Sequence, residues 1–281
     1  MAIFARAPLP LGVHCDAEGF ALCDVRSTAR GAALHRVVFE AFDGREPVEA
    51  LTAAVRANRW RNRLCVTSFA AERALLHALH LPAMSPHERR AAARLEAERL
   101  TPDRDVALSV DVSALPSGWL LAAAPRAEVR AAAARAEAAG LRVRAVDLAT
   151  LALARAIGAQ PGDAIVVADR ARAVVHLVTE GAPFVRLLPS RGGSAELAAP
   201  LAEALEFAAS RGFGVARRVV VAGALAVEDG FVERLADALG RAVTPAELRA
   251  EVSADEHPLD YVRASAPRWL TACGLALWSL R

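Results

Sequence analysis

The sequence predicts an α/β protein in which one unit, of element order βββαβαβα, occurs twice. Two apolar strand runs, over 12–16 and 165–169, each end in an aspartate, turn, and return as a second apolar run. Each pair is followed by a third strand, an amphipathic helix and a short buried strand, and later by a helix stopped at a glycine, Gly140 or Gly240. Laying Asp16 on Asp169, 153 positions further on, also lays Val25 on Val178 without a gap. Repetition on this scale reads as a duplication with a cleft between the halves.

In the first copy, strands over 12–16, 20–25 and 34–42 form a meander. The turn at Asp43 and Gly44 leads to a helix in which Val48, Leu51, Ala54 and Val55 share a face, and 63–68 is the buried fourth strand. A helix over 128–139, a strand over 141–146 and a helix over 148–157 complete this half. The second copy places strands at 165–169, 173–178 and 183–188, a helix over 194–210 that Pro200 is expected to kink or restart, and a strand over 217–222. A helix over 231–239, a short strand at 242–243 and a closing helix over 267–280 follow. Residues 69–125 have no counterpart in the second copy. There a strand at 74–79 precedes Ser85, Pro86 and Glu88, which read as N-cap, N1 proline and N3 acid of a capping box. The helix they start runs to about Leu100, and strands over 106–112 and 119–123 flank the turn at 116–118. The expected division is therefore 1–68 and 126–160 for the first half, 69–125 for a strand-helix-strand-strand insert, and 161–281 for the second half.

Composition narrows the chemistry. The 281 residues are 54% apolar and 23% charged, which excludes a disordered or collagen-like chain. A chain this long buries roughly three quarters of its unfolded surface, so no disulfide or metal staple is required. All 34 basic residues are arginine. Without lysine there is no Walker-A phosphate loop and no Schiff-base nucleophile. The net charge of +2 implies no field that would drive nonspecific nucleic-acid binding, and runs such as Arg89, Arg90 and Arg94 read as solvated faces. Cys15, Cys23, Cys65 and Cys273 show no paired spacing and read as reduced, buried thiols of a cytoplasmic protein. His14, Cys15 and Asp16 with Cys23 and Asp24 form no closed metal-ligand set, because alternate strand residues face opposite ways. No signal peptide is read at the start, and the apolar stretch over 269–280 falls short of the roughly 20 residues that span a bilayer. A closing helix buried in the second half is the expectation there, rather than one lying on a membrane.

The duplicated halves resemble the actin and hexokinase superfamily, and an insert of this kind in the first half resembles the subdomain of FtsA and PilM. Agreement with the PilM family rests on LHLPAMSPHERRAAARLEAERLTPDRDVALSVDV over 79–112, LLAAAPRAEVRAAAARAEAAGLRVRAVDLATLALARA over 120–156, FVRLLPSRGG over 184–193 and ACGLALWSL over 272–280. The resemblance implies a ribonuclease H-like, actin-like fold with nucleotide loops at Asp16, Asp169, Gly192, Gly193 and Gly223. Those loops depart from the pattern the family wants. Asp16 is followed by Ala17 and Glu18, so a carboxylate stands where a glycine would let amides approach phosphate, with Gly19 displaced by one. Asp169 is followed by Arg170 and Ala171, a valine replaces the expected hydroxyl at 174–175, and Gly223 lies between two alanines. No lid subdomain separates Gly193 from Arg217. ATP and magnesium are accordingly not expected as cofactors. The resemblance then implies a cytoplasmic scaffold of a type IV pilus or related secretion machine, held at the inner membrane through a PilN-like single-pass partner. A short peptide of that partner would bind in a groove between the first-half core and the insert. Membrane contact would be indirect, nucleic acid is not a partner, and oligomers are compatible. The alternative is an active actin-like ATPase or small-molecule kinase using Asp16, Asp111 or Asp169 as base or metal-binding acid.

Overall fold

The computed structural model describes residues 9–29, 31–60, 62–102, 105–189, 193–253 and 259–279, with backbone alone over 259–265. The first half opens with β1 (Leu11–Cys15), β2 (Gly19–Thr28) and β3 (Gly31–Ala41). Helix α1 (Pro47–Ala57) starts one residue earlier than its apolar spacing suggests, because Glu46 caps it by accepting the Val48 N–H and Pro47 occupies its first position. Strand β4 (Leu64–Phe69) follows. The insert comprises a 3₁₀ turn at Ala71–Arg73, β5 (Leu75–Leu79), α2 (Pro86–Leu100), β6 (Leu108–Leu115) and β7 (Gly118–Pro125). Ser85 and Glu88 form the expected capping box. Helix α3 (Arg126–Ala138), β8 (Arg142–Leu148) and α4 (Ala149–Ile157) close the half. The second half contains β9 (Asp163–Ala168), β10 (Ala173–Leu177), β11 (Phe184–Leu188), α5 (Ser194–Ser210), β12 (Arg218–Ala222), α6 (Phe231–Leu239), β13 (Val243–Pro245), β14 (Val252–Ser253) and α7 (Leu259–Ala276).

The duplication is legible in the sheets. The first runs β14-β3-β2-β1-β4-β8 and the second β11-β10-β9-β12-β13, so each half orders its own strands third, second, first, fourth, fifth. In each, the first three strands are antiparallel neighbours and the fourth pairs parallel to the first. The first hairpins even share a register. Cys15 opposite Phe20 corresponds, 153 positions on, to Ala168 opposite Ala173. The expected duplicated α/β architecture is present.

Helices and sheets alternate through the core. Helices α1 and α3 cover the outer face of the first sheet through Leu51, Ala54, Val55 and Ala136. Helices α5 and α6 cover the outer face of the second through Leu197, Leu201, Phe231 and Leu235. Between the sheets lie α4 and α7, where Leu153, Trp269, Leu270 and Cys273 pack against Cys23 on one side and Ile165 and Val220 on the other. Two glycines permit this middle layer. A Cβ on Gly274 would stand 1.7 Å from the Ala152 carbonyl oxygen, and one on Gly12 would stand 1.8 Å from that of Ala272. Helix backbones can approach this closely only where the side chain is absent.

Three expectations are corrected. The closing helix does not start at Pro267 but at Leu259, and the proline lies inside it. A proline costs a helix interior about 3 kcal/mol, which burial of Trp269, Leu270, Cys273 and Leu275 at 1% exposure or less offsets. Pro200 does not restart the helix, since α5 is continuous through it from Ser194 to Ser210. Strand β14 has no counterpart among the expected elements. Its two residues leave the second half and pair parallel with Ala32 and Ala33 at the edge of the first sheet.

Candidate functional site

Two places hold the residues that the sequence singled out or that lie beside them. One is the cleft between the halves, where the hairpin turns and the loop after β12 converge. Asp16 Oδ1 accepts the N–H groups of Glu18 and Gly19 at 2.7 and 2.8 Å, so this aspartate folds its own turn. The equivalent Asp169 does something different. Its Oδ1 reaches across to accept the Ala224 N–H at 3.0 Å, which ties β9 to the loop after β12. Gly223 makes the approach possible, since at its φ of +96° a Cβ would lie 2.5 Å from the Ala168 carbonyl oxygen and 2.7 Å from Asp169 Oδ1. The same loop is held to α7 by a bond from the Gly223 N–H to the Pro267 carbonyl.

Glu18 is the residue that closes the cleft. Its carboxylate accepts the Arg170 N–H at 2.8 Å, joining the two duplicated turns directly. The Arg170 guanidinium in turn pairs with Glu228 at 3.0 Å, and that of Arg172 with Glu72 at 2.6 Å. An anion from the chain thus occupies a backbone donor of the second turn, where a glycine in place of Glu18 would leave it free. The space remaining between His14, Asp16, Glu18, Asp169, Gly223 and Arg268 is about 20 Å³, room for about one water. Burial, together with the charges of Asp16 and Glu18, raises the Asp169 carboxyl to about 6 against the Ala224 hydrogen bond and the Arg172 charge. His14, half-buried and bonded through Nδ1 to Ser68 Oγ at 2.8 Å, is shifted down by its loss of solvent.

The residues singled out from sequence are thus partly assembled. Asp16, Asp169 and Gly223 line the cleft. Gly193 is the N-cap of α5 and does not line it, and Gly192 lies outside the described residues. Val174 and Val175 are buried in β10. Burial pushes the thiols of Cys15 and Cys65 up to about 11 and about 12, and Cys23 is raised by burial against Cys273, which makes all three poor nucleophiles.

The second place is a groove of about 210 Å³ between the insert and the first half. It is made by two sheet edges. Strand β6 is an outer strand of the small β5-β7-β6 sheet, and β8 is an outer strand of the first large sheet. Helix α2 packs Ala93 and Ala97 on one face of the small sheet with Leu79, Leu121 and Ala123, leaving the other face to the groove. The lining runs through consecutive residues of both strands, from Ser109 to Ser113 and from Ala145 to Leu148, with Trp278 and Arg155 completing it. Asp111 Oδ1 accepts the Val112 N–H and Asp147 Oδ1 accepts the Leu148 N–H, so each edge is blunted by a side chain that a better partner could displace. Arg155 pairs with Asp147 at 2.9 Å and donates to the Gly274 carbonyl at 2.6 Å, which anchors this wall to α7. Asp111 therefore sits in the groove and not in the cleft. Sequence reasoning missed Asp147, Arg155 and Trp278. The Val-Asp run at 146–147 and the terminal tryptophan are the signals that pointed there, but only the meeting of two strand edges gives them a common role.

Neither a protein-family model nor a curated protein sequence matches the chain. Solved structures do. A chain of a PilM–PilN type IV pilus biogenesis complex superposes with a TM-score of 0.78 at 20% identity, over 97% of this chain and 98% of that one. A Bacteroides thetaiotaomicron protein with an actin-like ATPase fold and unknown function gives 0.52 at 8% identity over 87% and 93%. The cytoplasmic domain of EpsL, an inner membrane component of the type II secretion system of Vibrio cholerae, gives 0.50 at 16% identity over 76% and 82%. The chain therefore has the actin-like fold, in the form seen in the PilM–PilN complex.

Proposed function

We propose that this protein is a PilM-like scaffold that captures a short extended peptide of a PilN-like inner-membrane partner between β6 and β8, and that it works without hydrolysing ATP. The observation that carries the reading is the pair of strand edges facing each other across the groove. An extended segment laid there gains main-chain hydrogen bonds from either edge, while its alternate side chains meet Ala122, Val146 and Trp278. Among the described residues no helix is long and apolar enough to cross a membrane, so work at the inner membrane would pass through the partner.

The cleft supports the non-enzymatic half of the reading. Phosphoryl transfer requires donors and a metal held ready around the phosphates. Here one backbone donor is taken by Glu18, three carboxylates converge, and the free volume is a small fraction of a nucleotide's. The resemblance to PilM–PilN supports the partner's class, and the two facing strand edges support the groove as its site.

Isothermal calorimetry of the full chain with the N-terminal cytoplasmic peptide of a PilN-like membrane protein from the same genome tests this. Saturable binding is expected, and Ser109→Trp, which fills the groove from the face opposite α2, is expected to weaken it at least tenfold with an unchanged melting temperature. Equal affinity in wild type and S109W would refute the groove as the site.

A further inference from the structure

The small sheet has a second outer strand, β5, and it too faces a groove. This one is larger, about 570 Å³, and lies between the insert and the second half. Leu76, His77 and Ala78 form one wall, and the β10–β11 connection with the segment over 211–217 forms the other. In an antiparallel pair, alternate residues direct their N–H and C=O groups away from the neighbour. Strand β5 spends one set on β7. Among the described residues, no backbone or side-chain group satisfies the other set, in contrast to the aspartates on β6 and β8. Proteins ordinarily blunt an open edge of this kind. Here the edge is left bare inside a recess, which is the arrangement needed for a strand to be added.

The facing wall states what kind of strand. Arg211 and Arg217 are exposed, and neither has an ion-pair partner among the described residues. Arg217 lies within electrostatic reach of Asp163, but that carboxylate is bonded at 3.1 and 2.7 Å by Arg218, and the Arg211 guanidinium rests over the Phe207 ring at 5.5 Å without a carboxylate partner among the described residues. Arg217 is fixed in place by packing its Nε and stem against Gly162, within 3.0–3.3 Å of where a Cβ would be. Val215, 72% exposed, offers an apolar contact beside these cations. Glu180 is the one carboxylate in the lining.

We propose that the β5 groove binds an extended acidic segment of a partner protein by strand addition. The segment pairs its main chain with Leu75–Leu79 and sets carboxylate side chains on Arg211 and Arg217. Five paired residues span about 17 Å. The site is independent of the β6–β8 groove, since the two strands are opposite edges of one small sheet.

The test uses the full chain and three labelled peptides in fluorescence anisotropy: acetyl-Val-Glu-Val-Glu-Val-Glu-Val-amide, its arginine counterpart, and the acidic peptide N-methylated at alternate residues. The acidic peptide is expected to bind at least tenfold more tightly than the other two, to weaken with added salt, and to protect the amides of 75–79 from hydrogen exchange. Arg211→Glu with Arg217→Glu should reduce affinity at least tenfold, and Arg211→Gln with Arg217→Gln should do so by a smaller factor at an unchanged melting temperature. The proposal fails if the basic or N-methylated peptide binds as well, if the charge-reversed protein binds equally, or if protection falls on β6 and β8.

Discussion

His176 and Asp169 show how single residues set the response of this fold to pH. His176 lies on β10 in the middle of the molecule, 1% exposed, with Nδ1 3.3 Å from the Thr150 carbonyl. Its Nε2 and the neighbouring Thr150 Oγ1 are both buried without a partner. Burial lowers its pKa from 6.5 to about 4. The unfolded chain therefore takes up the proton first on acidification, so stability present above pH 6.5 is lost as the pH falls towards 4, by about 3 kcal/mol. Chemical denaturation of His176→Leu across this range should show that loss abolished. Asp169 has the opposite sign. Its pKa, raised to about 6, means that the protonated form stabilises the fold below pH 3.8 and that this contribution is lost as the pH rises through 6. Asp169→Asn keeps an acceptor for the Ala224 N–H and carries no charge, so it should gain roughly 1–3 kcal/mol at pH 8 and nothing below pH 4. Reduced stability of D169N at pH 8 would mean that the carboxylate is held by a charge partner instead.

Among the elements, α7 carries the most consequence, because it touches both sheets and α4. The helix meets α4 where Gly274 faces the Ala152 backbone. Gly274→Ala places a methyl group where only a carbonyl oxygen fits, and a shift of backbone against backbone should cost about 3 kcal/mol or more. For a chain of this length that lowers the melting temperature by roughly 5 °C or more, measurable by calorimetry. A change within 1 °C would show that α4 and α7 can slide apart freely. Elements of this kind also mark where sequence stops being informative. The hairpins were legible because an aspartate ends each apolar run, and the insert helix because Ser85, Pro86 and Glu88 spell a cap. The first turns of α7 were not, since Pro267 reads as a first helical residue when nothing shows that burial of Trp269 and Leu270 holds a helix through it. Strand β14 was not, since two residues have no period and their partner in β3 lies more than 200 positions away. At the candidate sites, the replacement of glycine by Glu18 was readable as repulsion of phosphate. Its bond to the Arg170 N–H was not, because a turn meets its duplicate only in the folded chain. The groove between β6 and β8 depends on which strands end up at edges, which is a property of topology.

At the scale of the whole molecule, the two halves are fastened by contacts that come from the chain itself. Glu18 bridges the hairpin turns, Asp169 and Gly223 bind the β12 loop to β9 and α7, β14 crosses to the first sheet, and α4 and α7 form a shared layer. A ligand that bound only the folded protein would raise its melting temperature, by an amount that grows with the logarithm of its concentration over Kd, so one experiment weighs the groove against the cleft. The measurement is thermal unfolding of the full chain, alone, with saturating PilN-type peptide, and with millimolar magnesium-ATP. The account predicts a rise of several degrees with the peptide and a shift within error with magnesium-ATP. Stabilisation by magnesium-ATP with none from the peptide would contradict it.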